Sequence, residues 1–174
     1  MNNQVHLALG SNLGNKKNNI ITTLKLIDTI GTGLISSKIY STPPSGFSFQ
    51  PNFLNSACKF QTEKSVYDLL NILKKFESHV GRKQNFKNGP RMIDIDILYY
   101  NNLYINTPIL SVPHPKIHER DFVLHPLSEI SPDFIDPIHK ISVNSMLTNL
   151  KNSSDKKIQF QQELKWLTMQ SYNP

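Results

Sequence analysis

The apolar positions of the chain fall into short blocks whose period switches between two and about 3.6, and the switches mark out its elements. Residues 5–9 are a compact apolar run ending in Gly10-Ser11-Asn12, the pattern of a buried strand that enters a turn. Across residues 18–30, Ile20, Ile21, Leu24, Ile27 and Ile30 recur at helical spacing, and Gly31 and Gly33 follow as stop signals. Residues 34–40 read as a second strand, closed by Pro43-Pro44. Residues 45–51 have turn chemistry and no sustained period, so they predict a loop, after which residues 53–62 resume as a strand.

The strongest helical stripe follows. Ser65 and Asp68 have the spacing of a helix-opening cap; Val66, Leu69, Leu70, Leu73, Phe76 and Val80 share one face, and Gly81 ends it. Residues 92–100 alternate, which puts Ile93, Ile95, Ile97 and Tyr99 on one face of a strand and Asp94, Asp96 and Leu98 on the other. Asn101-Asn102 suits a turn into a short strand at residues 103–105. Residues 117–125 predict a helix that stops before Pro126, and residues 142–150 another; from Lys151 onward no pattern decides. The order β-α-β-β-α-β, with more helix after it, predicts an α+β fold: a ferredoxin-like antiparallel sheet with helices packed on one face, in a single domain over residues 1–174.

Composition narrows the class only a little. With 38% apolar and 18% charged residues, a chain of 174 residues can bury one core. It lacks both an apolar run long enough to span a membrane and the features of a secretory signal, so no membrane partner and a cytoplasmic location are expected. Cys58 is the one cysteine, which excludes an internal disulfide and suggests a small core residue. The net charge of +6 favours an anionic partner, but nucleic acid, nucleotide, phosphorylated metabolite and a merely solvated lysine-rich surface fit it equally.

Asp94 and Asp96 change that picture. Alternate positions on one strand place their side chains on the same face, about 6.6–7 Å apart at Cα, a separation that can hold magnesium between carboxylates. An exposed polar strand face would show the same pattern. The company argues for function: Arg82, Lys83, Lys87 and Arg91 lie just upstream in a loop with Gly81, Asn85, Asn88 and Gly89. Carboxylates beside mobile cations suit a metal–phosphate complex better than they suit packing. Neither a P-loop nor a kinase catalytic loop nor a dinucleotide glycine fingerprint is present. A small RNA-binding module is the rival reading, but it would want cations spread over one sheet face rather than gathered about two aspartates. No nucleic-acid partner is therefore expected.

The segments Ala8-Leu9-Gly10-Ser11-Asn12-Leu13, Tyr40-Ser41-Thr42-Pro43-Pro44, Phe53-Leu54-Asn55, Gly89-Pro90-Arg91-Met92-Ile93-Asp94-Ile95-Asp96-Ile97, Val112-Pro113-His114 and Arg120-Asp121-Phe122 occur in this order. In them the chain resembles the 6-hydroxymethyl-7,8-dihydropterin pyrophosphokinase family, over roughly residues 5–127. The resemblance implies pyrophosphate transfer from ATP to the hydroxymethyl group of the dihydropterin, a step of folate synthesis, with two magnesium ions on Asp94 and Asp96. It implies catalytic arginines at Arg82 and Arg91, and pterin contacts at Thr42, Pro43, Phe53, Asn55 and Phe122. The ATP contacts it implies are Leu70, Lys74, Glu77, Lys87, Ile97, Ser111, His114 and Arg120. A monomer is the simplest assembly compatible with it. The chain departs from the family at Gln84, Lys87 and Ile109, where arginine is common, and at Asn88, where an aromatic is. It also departs at Phe53 and Pro115, which stand for tyrosines, and its segment from Arg82 to Arg91 is one residue shorter.

Overall fold

In a computed structural model of the chain, residues 2–44, 49–81, 89–153 and 161–164 are described. Strand β1 (Asn3–Ser11) is followed by helix α1 (Lys16–Asp28), strands β2 (Thr32–Ser36), β3 (Ile39–Thr42) and β4 (Phe53–Thr62), and helix α2 (Val66–Val80). Then come β5 (Asp94–Tyr100), the short pair β6 (Ile105–Asn106) and β7 (Ser111–Val112), helices α3 (Asp121–Ile130) and α4 (Val143–Ser153), and β8 (Gln161–Leu164). The main sheet runs β5-β1-β4-β3-β8, with β2 also paired to β4, and every pairing is antiparallel. With β2 and β3 counted as one bent strand, this is the split β-α-β arrangement.

Helix α2 forms where the pattern places it. Ser65 Oγ accepts the Asp68 N–H at 3.2 Å, and Gly81 ends the helix at φ 105°, a left-handed conformation that suits glycine. The strand expected over residues 34–40 is two strands instead. Ser37 interrupts it, and its hydroxyl accepts the Ala57 N–H at 2.9 Å in place of a regular ladder bond. The sheet is also covered on both faces, not one. Val5, Leu7 and Leu9 pack with Ile20, Leu24 and Ile27 of α1 and Leu69 and Leu73 of α2. On the opposite face, Ala57, Leu98 and Tyr99 pack with Val123, Leu124 and Leu127 of α3 and Val143, Met146 and Leu147 of α4.

Two further expectations fail for definite reasons. Tyr99 does not share a face with Ile93, Ile95 and Ile97: Leu7 pairs with Ile97 and His6 with Tyr99, so Leu98 is an extra residue in β5. This bulge shifts the alternation, and Tyr99 turns toward Phe134 on the α3 and α4 face. The helix expected to stop before Pro126 instead begins at Asp121, after a 3-10 turn at Ile117–Glu119, and runs through Pro126 to Ile130. Proline there forgoes one backbone bond, yet continuing the helix past it buries Leu127 and Ile130. No helix of the described residues is long and apolar enough to cross a membrane.

His6 is a polar residue inside this packing, in tilted contact with Phe134. Its Nε2 lies 2.9 Å from Ser131 Oγ, while Nδ1 has no partner among the described residues. Burial, then the charge of Lys59, holds its pKa down from 6.5 to about 4. The unfolded chain therefore takes up this proton first, so His6's contribution is complete above pH 6.5 and is lost as pH falls toward 4. His6→Gln, which does not titrate, is expected to recover about 2–3 kcal/mol of the stability lost between neutrality and about pH 4.5. Urea unfolding of both proteins at the two pH values measures this, and parallel losses would exclude His6 as the source.

Candidate active site

Strand β1 lies between β4 and β5, and its register places small residues between polar ones. Gly10 pairs with Asp94 on one side and Asn55 on the other, and Ala8 pairs with Asp96 and Ala57. Adjacent strands stand about 4.8 Å apart, so Asp94 and Asn55 occupy one row with only a glycine between them. A Cβ on Gly10 would lie 3.2 Å from Asn55 Oδ1 and 3.7 Å from Phe53 Cδ1, so glycine keeps the floor open. A cleft of about 520 Å³ stands on this floor. Asp94 and Asp96 line it together with Thr42, Pro43, Phe53 and Asn55, and Lys74, Arg91, His114, Lys116, Arg120 and Phe122 complete the wall. Asn55 Nδ2 donates to Thr42 Oγ1 at 2.7 Å, which orients the amide with Oδ1 toward Gly10.

The two aspartates differ in their partners. Asp94 Oδ2 accepts from Arg91 Nη1 at 2.8 Å, whereas among the described residues Asp96 Oδ2 has Arg120 Nη1 at 3.9 Å and His114 Nε2 at 4.0 Å as its ionic partners. Burial, and next the charge of Asp94, raises the Asp96 pKa above its ordinary 3.8, against the pull of Arg120, Lys74 and Arg91. The His114 pKa is lowered to about 4, chiefly by burial and then by Arg120, so at neutral pH its ring adds no charge. The described cations thus compensate Asp96 only loosely. Among the described residues, no group of three or more His, Cys, Asp or Glu converges as a metal cage. Two carboxylates on one strand face are instead the donor set of magnesium, which takes one or two protein carboxylates and completes its shell with phosphate and water.

Glu77 lies behind this pair. The helical pattern puts it on the polar side of α2, yet it is buried, with Oε1 accepting the Ile95 N–H at 2.8 Å and Oε2 bonded to Lys74 Nζ at 3.0 Å. That amide lies between Asp94 and Asp96, so Glu77 holds the backbone from which both carboxylates project. Leu70, Lys74, Ile97, Ser111 and His114 line a second hollow with Asp96, and the divergent Ile109 and Pro115 line it too. Arg91 Cζ sits 5.6 Å from the centre of the Phe53 ring, and Arg120 Cζ 5.7 Å from that of Phe122. Arg82 and Lys87, with Gln84, Phe86 and Asn88, lie outside the described residues.

Sequence reasoning missed the residues that brace the site. Asn19 donates from Nδ2 to the carbonyls of Leu13 and Met92, both at 2.9 Å, and tethers the chain just before β5 to the turn after β1. Its signal was available: Asn19 falls on the buried stripe of α1 with Ile20, Thr23, Leu24 and Ile27. Asn12 and Lys116 also went unassigned, although Lys116 lines the cleft.

The sheet order and the cation-rimmed aspartate pair define a small α+β domain whose cleft has the chemistry to hold a divalent cation beside an anionic ligand. The family profile for 7,8-dihydro-6-hydroxymethylpterin-pyrophosphokinase (HPPK) matches residues 6–132, and the chain belongs to that family. It is 46% identical over 154 residues to the folic acid synthesis protein FOL1 of Dictyostelium discoideum, covering 88% of this chain and 23% of that protein. It is 43% identical over 136 residues to the 2-amino-4-hydroxy-6-hydroxymethyldihydropteridine pyrophosphokinase of Aquifex aeolicus, covering 78% and 85%. The chain thus spans about a quarter of the Dictyostelium relative and most of the Aquifex one. Among solved structures, the Plasmodium falciparum HPPK-DHPS crystallised with pteroate shares the fold at a TM-score of 0.71 and 15% identity, over 86% of this chain and 42% of that one.

The loose compensation of Asp96 has a measurable consequence. A carboxyl whose folded pKa is raised favours the fold while protonated, and that share is lost as pH rises through it, so the charge opposes folding at neutral pH. The side chain is 36% exposed, so screening trims the effect. Asp96→Asn is expected to raise the melting temperature of the metal-free protein by about 2–4 °C at neutral pH, roughly 1 kcal/mol, with the gap closing in acid. Calorimetry in the presence of a chelator checks this, and an unchanged or lower midpoint would mean that the surrounding cations already balance the charge.

Proposed function

We propose that the protein transfers pyrophosphate from MgATP to the hydroxymethyl group of 6-hydroxymethyl-7,8-dihydropterin, giving the pterin diphosphate and AMP, as a step of folate synthesis. The carrying observation is the row of Asp94, Gly10 and Asn55 across three strands, which sets an anion-and-metal end and a polar-edge reader on one open floor. Family membership and relatives named for folate synthesis and pterin pyrophosphokinase support the same reading.

On this reading the pterin ring lies between Phe53 and Phe122, bordered by Thr42 and Pro43, with its polar edge on the Asn55 amide. The nucleotide takes the second hollow, where Leu70, Ile97 and Ser111 receive the base and ribose and Lys74, His114 and Arg120 face the phosphates. Glu77 serves this wall from behind, through Lys74 and the Ile95 amide. Asp94 and Asp96 would hold two magnesium ions, which supply charge neutralisation and orientation of the phosphate chain when bound. Arg91 has a buried Nε with no partner among the described residues, a donor in reserve for a phosphate oxygen. Arg82 is the second catalytic arginine, and Lys87 adds charge from the same segment. The pterin hydroxymethyl oxygen attacks the β-phosphorus directly and AMP leaves, so the protein's work is alignment, charge neutralisation and exclusion of water. The reading takes the protein as a cytoplasmic monomer that acts without nucleic acid or membrane.

Nucleotide chromatography of a reaction with MgATP and the hydroxymethyl-dihydropterin is expected to show AMP appearing with the pterin diphosphate. Stoichiometric ADP with a pterin monophosphate would overturn the reaction class. Asp94→Ala is expected to cost about a hundredfold or more in turnover, and near-normal turnover would reduce the aspartate pair to a solvated strand face. Asn55→Ala is expected to weaken pterin binding by about one to two decades while ATP affinity stays within about threefold, because a polar ring edge then loses its partner. Calorimetric titration of each ligand separates these effects, and an unchanged pterin affinity would remove Asn55 from the site.

A further inference from the structure

The side chain of Asn12 is buried at the end of β1 and bonded in two directions. Its Oδ1 accepts the Arg91 N–H at 2.8 Å, and the Asn12 N–H donates to the Arg91 carbonyl at 3.1 Å, so the two residues are locked together. On its other side, Nδ2 donates to Gln50 Oε1 at 2.9 Å and to the Pro51 carbonyl at 3.3 Å. Gln50 and Pro51 lead into Phe53 and Asn55 on β4, while Arg91 holds Asp94 and sits over the Phe53 ring. One amide therefore joins the chain that enters the pterin side of the cleft to the residue that leads the phosphate side. Asparagine suits this place because it offers an acceptor and two donors within one small planar group. An aspartate would keep the acceptor and lose both donors.

We propose that Asn12 is a positioning residue for the transfer reaction: it holds Arg91 and the segment entering β4 in fixed relation, so that the two substrates meet in line. The proposal rests on the pterin pyrophosphokinase reading. It has two separable halves, the acceptor bond to Arg91 and the donor bonds to Gln50 and Pro51. Loss of the first misplaces the phosphate-side arginine and lowers turnover. Loss of the second loosens the pterin side and raises the KM for pterin.

Steady-state kinetics, melting temperatures and amide hydrogen exchange by NMR on Asn12→Ala, Asn12→Asp and the remote packing variant Leu147→Ala test this together. Asn12→Ala is expected to lower kcat by about 10- to 100-fold and raise the pterin KM, with the ATP KM within about threefold and Arg91 amide exchange much accelerated. Asn12→Asp should keep Arg91 protected and recover most of kcat, yet still show the raised pterin KM. Leu147→Ala should lower the melting temperature without changing kcat. A kcat for Asn12→Ala within about threefold of the unaltered protein, or the same kinetic loss in Leu147→Ala, would overturn the proposal. If the unaltered protein does not turn over the pterin, the functional reading fails instead, and the exchange data then judge the brace alone: Arg91 protection unchanged in Asn12→Ala sinks it.

Discussion

The site depends on the register of β1 between β4 and β5. Antiparallel pairing sets Gly10 opposite both Asn55 and Asp94, and Ala8 opposite both Ala57 and Asp96. A slip of one residue would turn Leu9 into the cleft and bury the small residues, because side chains alternate faces with a period of two. The register is protected from the other face, where Val5, Leu7 and Leu9 are buried against α1 and α2. The apolar core thus secures the floor of the polar site from beneath.

A second constraint is electrostatic. Two carboxylates close together in a half-buried cleft repel each other, and the structure answers unequally, with a tight Arg91 pair for Asp94 and a distant Arg120 for Asp96. Glu77 adds a third acid behind them, but its oxygens are spent on the Ile95 amide and on Lys74. Its effect is to stiffen β5 between the two aspartates, so their repulsion is borne by a fixed backbone rather than relieved by movement. Charge left partly uncompensated in a cleft marks a ligand site more often than a structural one.

The bracing of the site is done by neutral amides. Asn12 and Asn19 each satisfy several groups from a buried position and link segments far apart in the chain, while buried Asn55 ties β4 to Thr42 of β3. Such groups carry no charge to disturb the aspartates, and they are costly to leave unpaired, which makes the arrangement specific. In a chain rich in surface asparagine, composition could not distinguish these three from the solvated ones.

Much of the architecture is legible in the residue pattern. Helix α2 declares itself by an apolar stripe between Ser65 and Gly81, β4 by the strand pattern resuming over residues 53–62 after a loop, and the aspartate pair by alternation beside a cationic loop, because each signal lies within one local segment. What failed was what local periodicity cannot contain. The bulge at Leu98 that reverses Tyr99, the passage of α3 through Pro126 and the second covered face all arise from contacts between distant segments. The same holds at the site. Asp94, Glu77 and Asn55 each had a place in the sequence reading, but the inward turn of Glu77 needed β5 packed on α2. The row that joins Asp94 to Asn55 needed the pairing of three strands, and only tertiary structure decides which residues stand opposite one another.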